Sequence, residues 1–364
     1  MPLQFLIRWV FGLLSLALLA WGASLVYEWW RDDIDRERWE LALGLGLLAF
    51  AFVGRPLVLL LVGKGGPSEK GAAGKVERLT APDGTELAVE TVGAGGGPTL
   101  VMTHGWGLDR TAWRYIQARL ERSHKLVLWD LPGLGETSEP PDKHYDLERF
   151  ADALAAVAER AGGPVVLLGH SIGGMTIQTL LRRGPMSNVV GAVLMNTTYA
   201  RADRTTLFAP LVTALRWPLI EPLLHLQVWL SPLVWLQKWQ SYMSGSLHLA
   251  NRITAFGPDA KRAEIEHAAK LSAKAKPSVE AKGIMAVLRW DATDSLGRLG
   301  VPVLAITGKR DIVTRAPAGQ RIANAASGAQ QHDPRAAHNS LIDRAEAYAE
   351  AIERFLGSLP AARS

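Results

Sequence analysis

Cysteine is absent from all 364 residues, which removes disulfides, thiolate zinc sites and cysteine nucleophiles together and leaves redox compartment unread. A phosphate-binding loop is also missing: Gly63-Lys64-Gly65-Gly66 lacks the spacing and the preceding strand of one, and reads as linker. There is no basic patch interleaved with stacking aromatics, so the net charge of +5 points to an anionic membrane surface and not to nucleic acid. No internal repeat is visible, and no residue pattern calls for a metal or a cofactor. What remains is the chemistry of hydroxyls, carboxylates and imidazoles.

Charge is locally missing too. Val10–Tyr27 holds eighteen residues without one, enough to span a bilayer and too long for the apolar core of a cleaved signal. A second apolar run, Leu41–Val62, follows a charged turn over residues 31–38. Together they predict a transmembrane helical hairpin with spans at about 9–30 and 41–62. Trp9, Trp29, Trp30 and Trp39 fall at the span ends, where indoles favour the headgroup layer. Arg55 and Pro56 interrupt the second run, which leaves open a shorter helix ending near Val53 and lying in the interface. Positive charges flank the hairpin on both sides, an orientation that places the rest of the chain in the cytoplasm; a single span would place it outside. The domain organisation expected is a membrane anchor over 1–62, a flexible Gly/Lys linker over 63–75, a catalytic domain over 76–358 and a tail over 359–364.

The strongest chemical signal is Val165-Val166-Leu167-Leu168-Gly169-His170-Ser171-Ile172-Gly173-Gly174. An apolar strand breaks into G-x-S-x-G and then a helix, the pattern of a serine nucleophile on a strand-to-helix elbow. Small residues at 169 and 173 permit the sharp turn, and the Ile172 N–H points at an oxyanion formed there. Upstream, the strand Thr99–Thr103 runs into His104-Gly105-Trp106-Gly107, which offers the Trp106 N–H as second oxyanion donor. Downstream, Val303–Thr307 precedes Gly308-Lys309-Arg310-Asp311, which makes Asp311 the acid, and His338 lies 27 positions later as the base. The order Ser, Asp, His is the expected one.

Competing residues have duller readings. His170 is a packed neighbour of the nucleophile, His104 braces the oxyanion loop, and His332 is a weak rival base. His124, His144, His225, His248 and His267 read as surface or lid residues without partners. Asp130 holds its own Pro-Gly turn, and Asp291 is the runner-up acid.

Taken together, His104-Gly105-Trp106-Gly107, Asp130-Leu131-Pro132-Gly133-Leu134-Gly135, the Ser171 elbow, Gly308-Lys309-Arg310-Asp311 and His338 resemble the α/β-hydrolase superfamily over about residues 76–358. The resemblance implies an α/β-hydrolase fold, a mostly parallel eight-stranded sheet with helices on both faces and an inserted helical lid, here at about 199–285. One departure is Ala337, where the family has glycine before the histidine, and Gln330–Asp333 makes a poor final strand. From Thr205 to Leu236 the only charges are Arg216 and Glu221, while Trp217, Trp229 and Trp235 stand among leucines and prolines. These three are the candidate substrate-binding residues, in a lid that touches the bilayer or lines an acyl channel. The segment Lys261–Lys282 carries six basic and three acidic residues, suited to anionic headgroups.

The expected protein is a membrane-anchored serine hydrolase of carboxylic esters, monoacylglycerol-like lipids among them. Its expected partners are a hydrophobic ester substrate and the bilayer, with no cofactor, metal or nucleic acid. The same triad also serves C–C hydrolases, cofactor-free haloperoxidases, thioesterases and acyltransferases, and a non-catalytic membrane binding protein is the alternative of another class.

Overall fold

The computed structural model describes residues 1–31, 38–184, 186–326 and 328–359. The inner part of the expected charged turn (32–37) and the tail beyond 359 lie outside them.

The chain opens with three helices, α1 (Pro2–Arg31), α2 (Arg38–Val53) and α3 (Arg55–Val62). Among the described residues α1 is the one unbroken helix long and apolar enough to cross a membrane, which is consistent with membrane anchoring. The second apolar run is not one straight helix: α2 and α3 meet at a bend of 74°. Pro56 in the first turn of α3 cannot donate back across the break. Arg55 is drawn to the domain, where its Nη1 donates to the Tyr242 hydroxyl at 2.7 Å and to Glu266 at 3.2 Å. An arginine so paired holds α3 against the folded domain.

Residues 64–74 then run along the domain surface. The Lys64 N–H donates to the Ala260 carbonyl at 2.9 Å, Gly71 N–H to the Arg114 carbonyl at 2.7 Å, and the Ser68 hydroxyl to Glu264 at 3.0 Å.

Eight strands form one sheet in the order β1-β2-β4-β3-β5-β6-β7-β8. The strands β1 (Lys75–Thr80) and β2 (Glu86–Val92) pair antiparallel around Asp83-Gly84; β2 pairs antiparallel with β4 (Leu126–Trp129). All remaining pairs, through β3 (Thr99–Thr103), β5 (Val165–His170), β6 (Val189–Met195), β7 (Val303–Gly308) and β8 (Ala329–Asp333), are parallel. Every residue of β3, β4, β5 and β7 is buried, as expected for strands covered on both faces. Alternate side chains of the same strands feed two cores: Val101, Val127 and Leu167 on one face, Leu100, Leu128 and Val166 on the other.

The polar sequence Ala-Gln-Gln-His-Asp does form β8. It is the sheet edge, with only Asp333 buried, so apolar alternation is not required there.

Helices α4 (Arg114–Leu120), α5 (Leu147–Ala161) and α6 (Ile172–Leu181) alternate with the first strands. Asp146 caps α5, accepting from the Arg149 N–H at 2.8 Å. Between β6 and β7 the chain builds seven helices in succession: α7 (Ala202–Thr205), α8 (Ala209–Leu215), α9 (Glu221–Trp229), α10 (Ser231–Ser244), α11 (Ser246–Ala255), α12 (Arg262–Lys274) and α13 (Pro277–Arg289). Three more, α14 (Ala316–Ala325), α15 (Ser340–Asp343) and α16 (Ala345–Ser358), close the fold.

Candidate active site

Ser171 sits between β5 and α6 with φ 54° and ψ −118°, in the left-handed half of backbone space that a β-carbon disfavours. Such strain persists where the surroundings over-determine it. Here glycine makes room: a β-carbon on Gly173 would collide with the Thr103 carbonyl oxygen, and one on Gly169 with the backbone of Gly173. The serine hydroxyl is thereby set at the carboxyl end of the central strand.

His338 Nε2 lies 3.0 Å from Ser171 Oγ, and His338 Nδ1 lies 2.9 Å from Asp311 Oδ2. The carboxylate fixes the tautomer, with Nδ1 donating and Nε2 left to accept. All three side chains are buried. Burial alone would raise the Asp311 carboxyl, yet the facing His338 imidazole and hydrogen bonds from Thr314 and Asn196 hold it below the usual carboxylate range. Its Oδ1 accepts the Val313 N–H at 2.8 Å and the Thr314 N–H at 2.9 Å.

Asn196, at the end of β6, stands outside the residues that the sequence singled out. Its amide donates to Asp311 Oδ2 at 3.0 Å and to the Ala337 carbonyl at 3.1 Å, and its Oδ1 accepts from the Tyr348 hydroxyl at 2.6 Å. One side chain therefore ties the acid to the loop of the base. The only available signal was its place at a strand end two strands from the edge. Asn196 has φ 46°, a conformation asparagine tolerates better than most. Ala337 shows no positive φ, so the family's glycine is not needed on backbone grounds; its N–H donates to Ser340 Oγ at 2.8 Å.

The other histidines and acids serve as braces. His170 Nε2 is 2.8 Å from the His338 carbonyl oxygen, and burial, helped by His338, pushes its pKa down to about 3, so it stands neutral under the base loop. His104 Nε2 accepts the Leu131 N–H at 3.0 Å, and burial lowers its pKa. Asp130 does hold its turn, accepting the Glu136 N–H at 2.9 Å, and it also pairs with the buried Arg110 guanidinium at 2.5 Å. His332 faces Thr307 on the sheet edge at 3.0 Å, and Asp291 accepts the Thr293 N–H at 2.9 Å; neither contacts the triad. Three histidines expected to lack partners have them; His144 Nε2 lies 2.9 Å from Asp146 Oδ2 at the surface. His248 pairs with Glu266 at 2.7 Å and His267 with the Tyr115 hydroxyl at 3.0 Å, both inside the packing of α11 and α12.

Gly105 presses against the elbow: a β-carbon there would strike the His170 ring and lie 3.4 Å from Ser171 Cβ. The next residue, Trp106, is locked by stacking on Phe150 at 5.5 Å and by its Nε1–H donating to the Glu280 carbonyl at 3.0 Å. Ile172 opens α6 directly after the serine. Of the three lid tryptophans, Trp217 and Trp229 are 71% and 79% exposed, and Trp235 donates to the Ala273 carbonyl at 2.9 Å. None of the three lines the cavity beside Trp106. Among the described residues no group of three or more His, Asp or Glu is placed to hold a metal ion.

A mostly parallel eight-stranded sheet carrying a Ser–His–Asp relay at a strained elbow defines the class of serine hydrolases built on α/β architecture. The chain belongs to the alpha/beta hydrolase family, whose model matches residues 100–351, and it is an enzyme of the serine-hydrolase type. It is 29% identical over 231 residues to a pimeloyl-[acyl-carrier protein] methyl ester esterase from Pseudoalteromonas atlantica, covering 62% of this chain and 80% of that one. A protein of the same name from Chromobacterium violaceum is 25% identical over 272 residues, covering 74% and 98%. In fold it is similar to an esterase from Exiguobacterium antarcticum, with a TM-score of 0.64, 22% identity and coverage of 78% of this chain and 100% of the other.

Proposed function

We propose that the protein is a membrane-anchored carboxylic-ester hydrolase acting on hydrophobic acyl esters of the monoacylglycerol type, with Ser171 as nucleophile, His338 as base and Asp311 as its orienting acid. The single observation that carries the reading is the continuous relay from Asp311 Oδ2 through His338 to Ser171 Oγ at 2.9 and 3.0 Å. His338 Nε2 takes the hydroxyl proton as Oγ attacks the acyl carbonyl. The N–H groups of Trp106 and Ile172 receive the developing oxyanion, each contributing about 3–4 kcal/mol. His338 then protonates the leaving alkoxide, and water, deprotonated by the same nitrogen, releases the acid. The related esterases named for acyl methyl esters support carboxylic-ester chemistry.

The membrane part of the reading rests on α1 and on the apolar, exposed surface of the helices between β6 and β7, the proposed lid, where Trp217 and Trp229 would meet lipid. In the hairpin topology the catalytic domain faces the cytoplasm. The test is a fluorophosphonate probe on membranes containing the protein. The expected outcome is covalent label on the Ser171 peptide, blocked by a long-chain monoacylglycerol and abolished in Ser171→Ala. A well-folded protein that takes no label under any lipid condition would favour the binding-protein alternative.

A further inference from the structure

The helix that the sequence offers as an anchor is built into the enzyme. Along the first turns of α1, positions 1, 5, 8 and 12 and positions 4 and 8 recur at three- and four-residue spacing, so they share one face. That face is turned inward. Gln4 donates to Thr254 Oγ1 at 3.3 Å, Arg8 Nη2 to Asn251 Oδ1 at 2.9 Å, and Trp9 Nε1 to Gln227 Oε1 at 2.9 Å. Phe5 is buried in a cluster with Ile284 and Leu224. A helix surrounded only by lipid has no use for a half-buried arginine and glutamine bonded to the domain, and their presence marks a functional face.

Between this face and α9, α10 and α13 lies a cavity of about 70 Å³, bounded on one side by Phe5, Trp9, Ile284 and Trp106 and on the other by the charged Arg8, Lys238 and Glu280. Trp106 belongs to the loop beside the elbow and is the link between this cavity and the nucleophile; Ser171 itself is only 1% exposed and does not line it.

We propose that the inward face of α1 is the acyl-selecting wall of the substrate pocket, Phe5 and Trp9 setting the chain length admitted opposite Ile284 and Trp106. The inference rests on the serine-hydrolase reading above and adds a selecting element outside the family-matched segment, which begins at residue 100. The space between Phe5, Trp9, Ile284 and Trp106 limits the length of acyl chain that can lie beside α1, and enlarging the wall admits longer ones.

The test uses the full chain in nanodiscs with 4-nitrophenyl esters of increasing acyl length, comparing kcat/KM of the wild type with Phe5→Ala and with the milder Phe5→Leu, which keeps the question open should the alanine variant fold poorly. The expected result is a change of profile: activity on octanoate relative to acetate rises at least tenfold in Phe5→Ala and less in Phe5→Leu, while a small fluorophosphonate titrates the same number of serines. A change by one common factor at every chain length, up or down, overturns the inference and assigns α1 a packing or plugging role. A wild type that neither hydrolyses any ester nor reacts with the fluorophosphonate overturns the hydrolase reading itself, and the inference with it.

Discussion

Two regions of the molecule use apolar residues in opposite ways. Every large hydrophobic side chain that stands exposed among the described residues falls within residues 10–61 or 208–253. From β1 to β6, and again from α12 to the end of α16, there is none. The sheet consumes its valines and leucines on both faces, and the buried Arg110 among them is paired, lying between Glu90 at 2.9 Å and Asp130. The helices α1–α3 and α8–α11 leave Leu61, Trp217, Trp229 and Leu236 uncovered. Contiguous exposure on that scale is a surface awaiting an apolar partner. The lesson is that one composition is used in two ways along the chain, buried on both faces of the sheet and left on the surface of the helices, which is consistent with anchoring at a membrane.

The comparison is tested hardest where chemistry should be concentrated. Asp311→Asn keeps the shape of the acid but lets His338 adopt the wrong tautomer, and kcat should fall about 10⁴-fold with little change in Tm. Steady-state rates on a soluble ester check it; a loss of tenfold or less would mean that Asp311 is not the acid.

Asn196→Ala should come next. It removes the bridge between Asp311 and the Ala337 carbonyl and leaves the buried Tyr348 hydroxyl without its 2.6 Å acceptor. A displaced base loop predicts a drop in kcat of about 10- to 100-fold, and the orphaned hydroxyl about 1–3 kcal/mol of lost stability. Denaturant melts and kinetics on the same preparation separate the two effects.

On the other region the expected effect is smaller and different in kind. Replacing both Trp217 and Trp229 by serine should lower activity on a vesicle-borne ester about tenfold, since burying an aromatic side chain is worth about 1.5–3 kcal/mol and part of that area stays wet. Activity on a soluble short ester should stay within twofold. Equal losses on both substrates would erase the division between the regions.

Much of this was legible beforehand, and the exceptions share a cause. The central strands could be read because burial on both faces demands unbroken apolar runs, and the elbow because its glycines are sterically compelled. β8 could not, because an edge strand answers to its neighbour's backbone and not to a core. Asn196, Thr314 and Tyr348 meet only in three dimensions, their positions being separated by a strand and several helices. The inward packing of α1 was masked because its outer residues are as apolar as its inner ones; Gln4, Arg8 and Ser15 are the polar positions that meet the domain. The bend at Gly54 was half visible in Arg55 and Pro56, but its direction is set by Glu266, more than two hundred positions away.

The smallest expected effect lies at the seam between the regions. Asp343, at the end of α15, accepts the Gly257 N–H at 2.7 Å from the loop between α11 and α12, while its Oδ1 has no partner. Close by, the Asn339 N–H, next to the base, donates to the Ala255 carbonyl at 2.7 Å. Burial, with the Glu264 charge adding to it, raises the Asp343 carboxyl to about 7. An acid whose folded pKa lies above its unfolded value of about 4 keeps its proton in the folded protein when the unfolded chain gives it up. The stability so linked is complete below about pH 4 and is lost as pH rises through about 7. Asp343→Asn supplies a permanently neutral amide in the same place, so its Tm should fall less than that of the wild type between pH 5 and pH 8. Parallel pH profiles for the two proteins would mean that Asp343 is already ionised at the seam, and that the base loop is held to the helices by charge instead of by a neutral hydrogen bond.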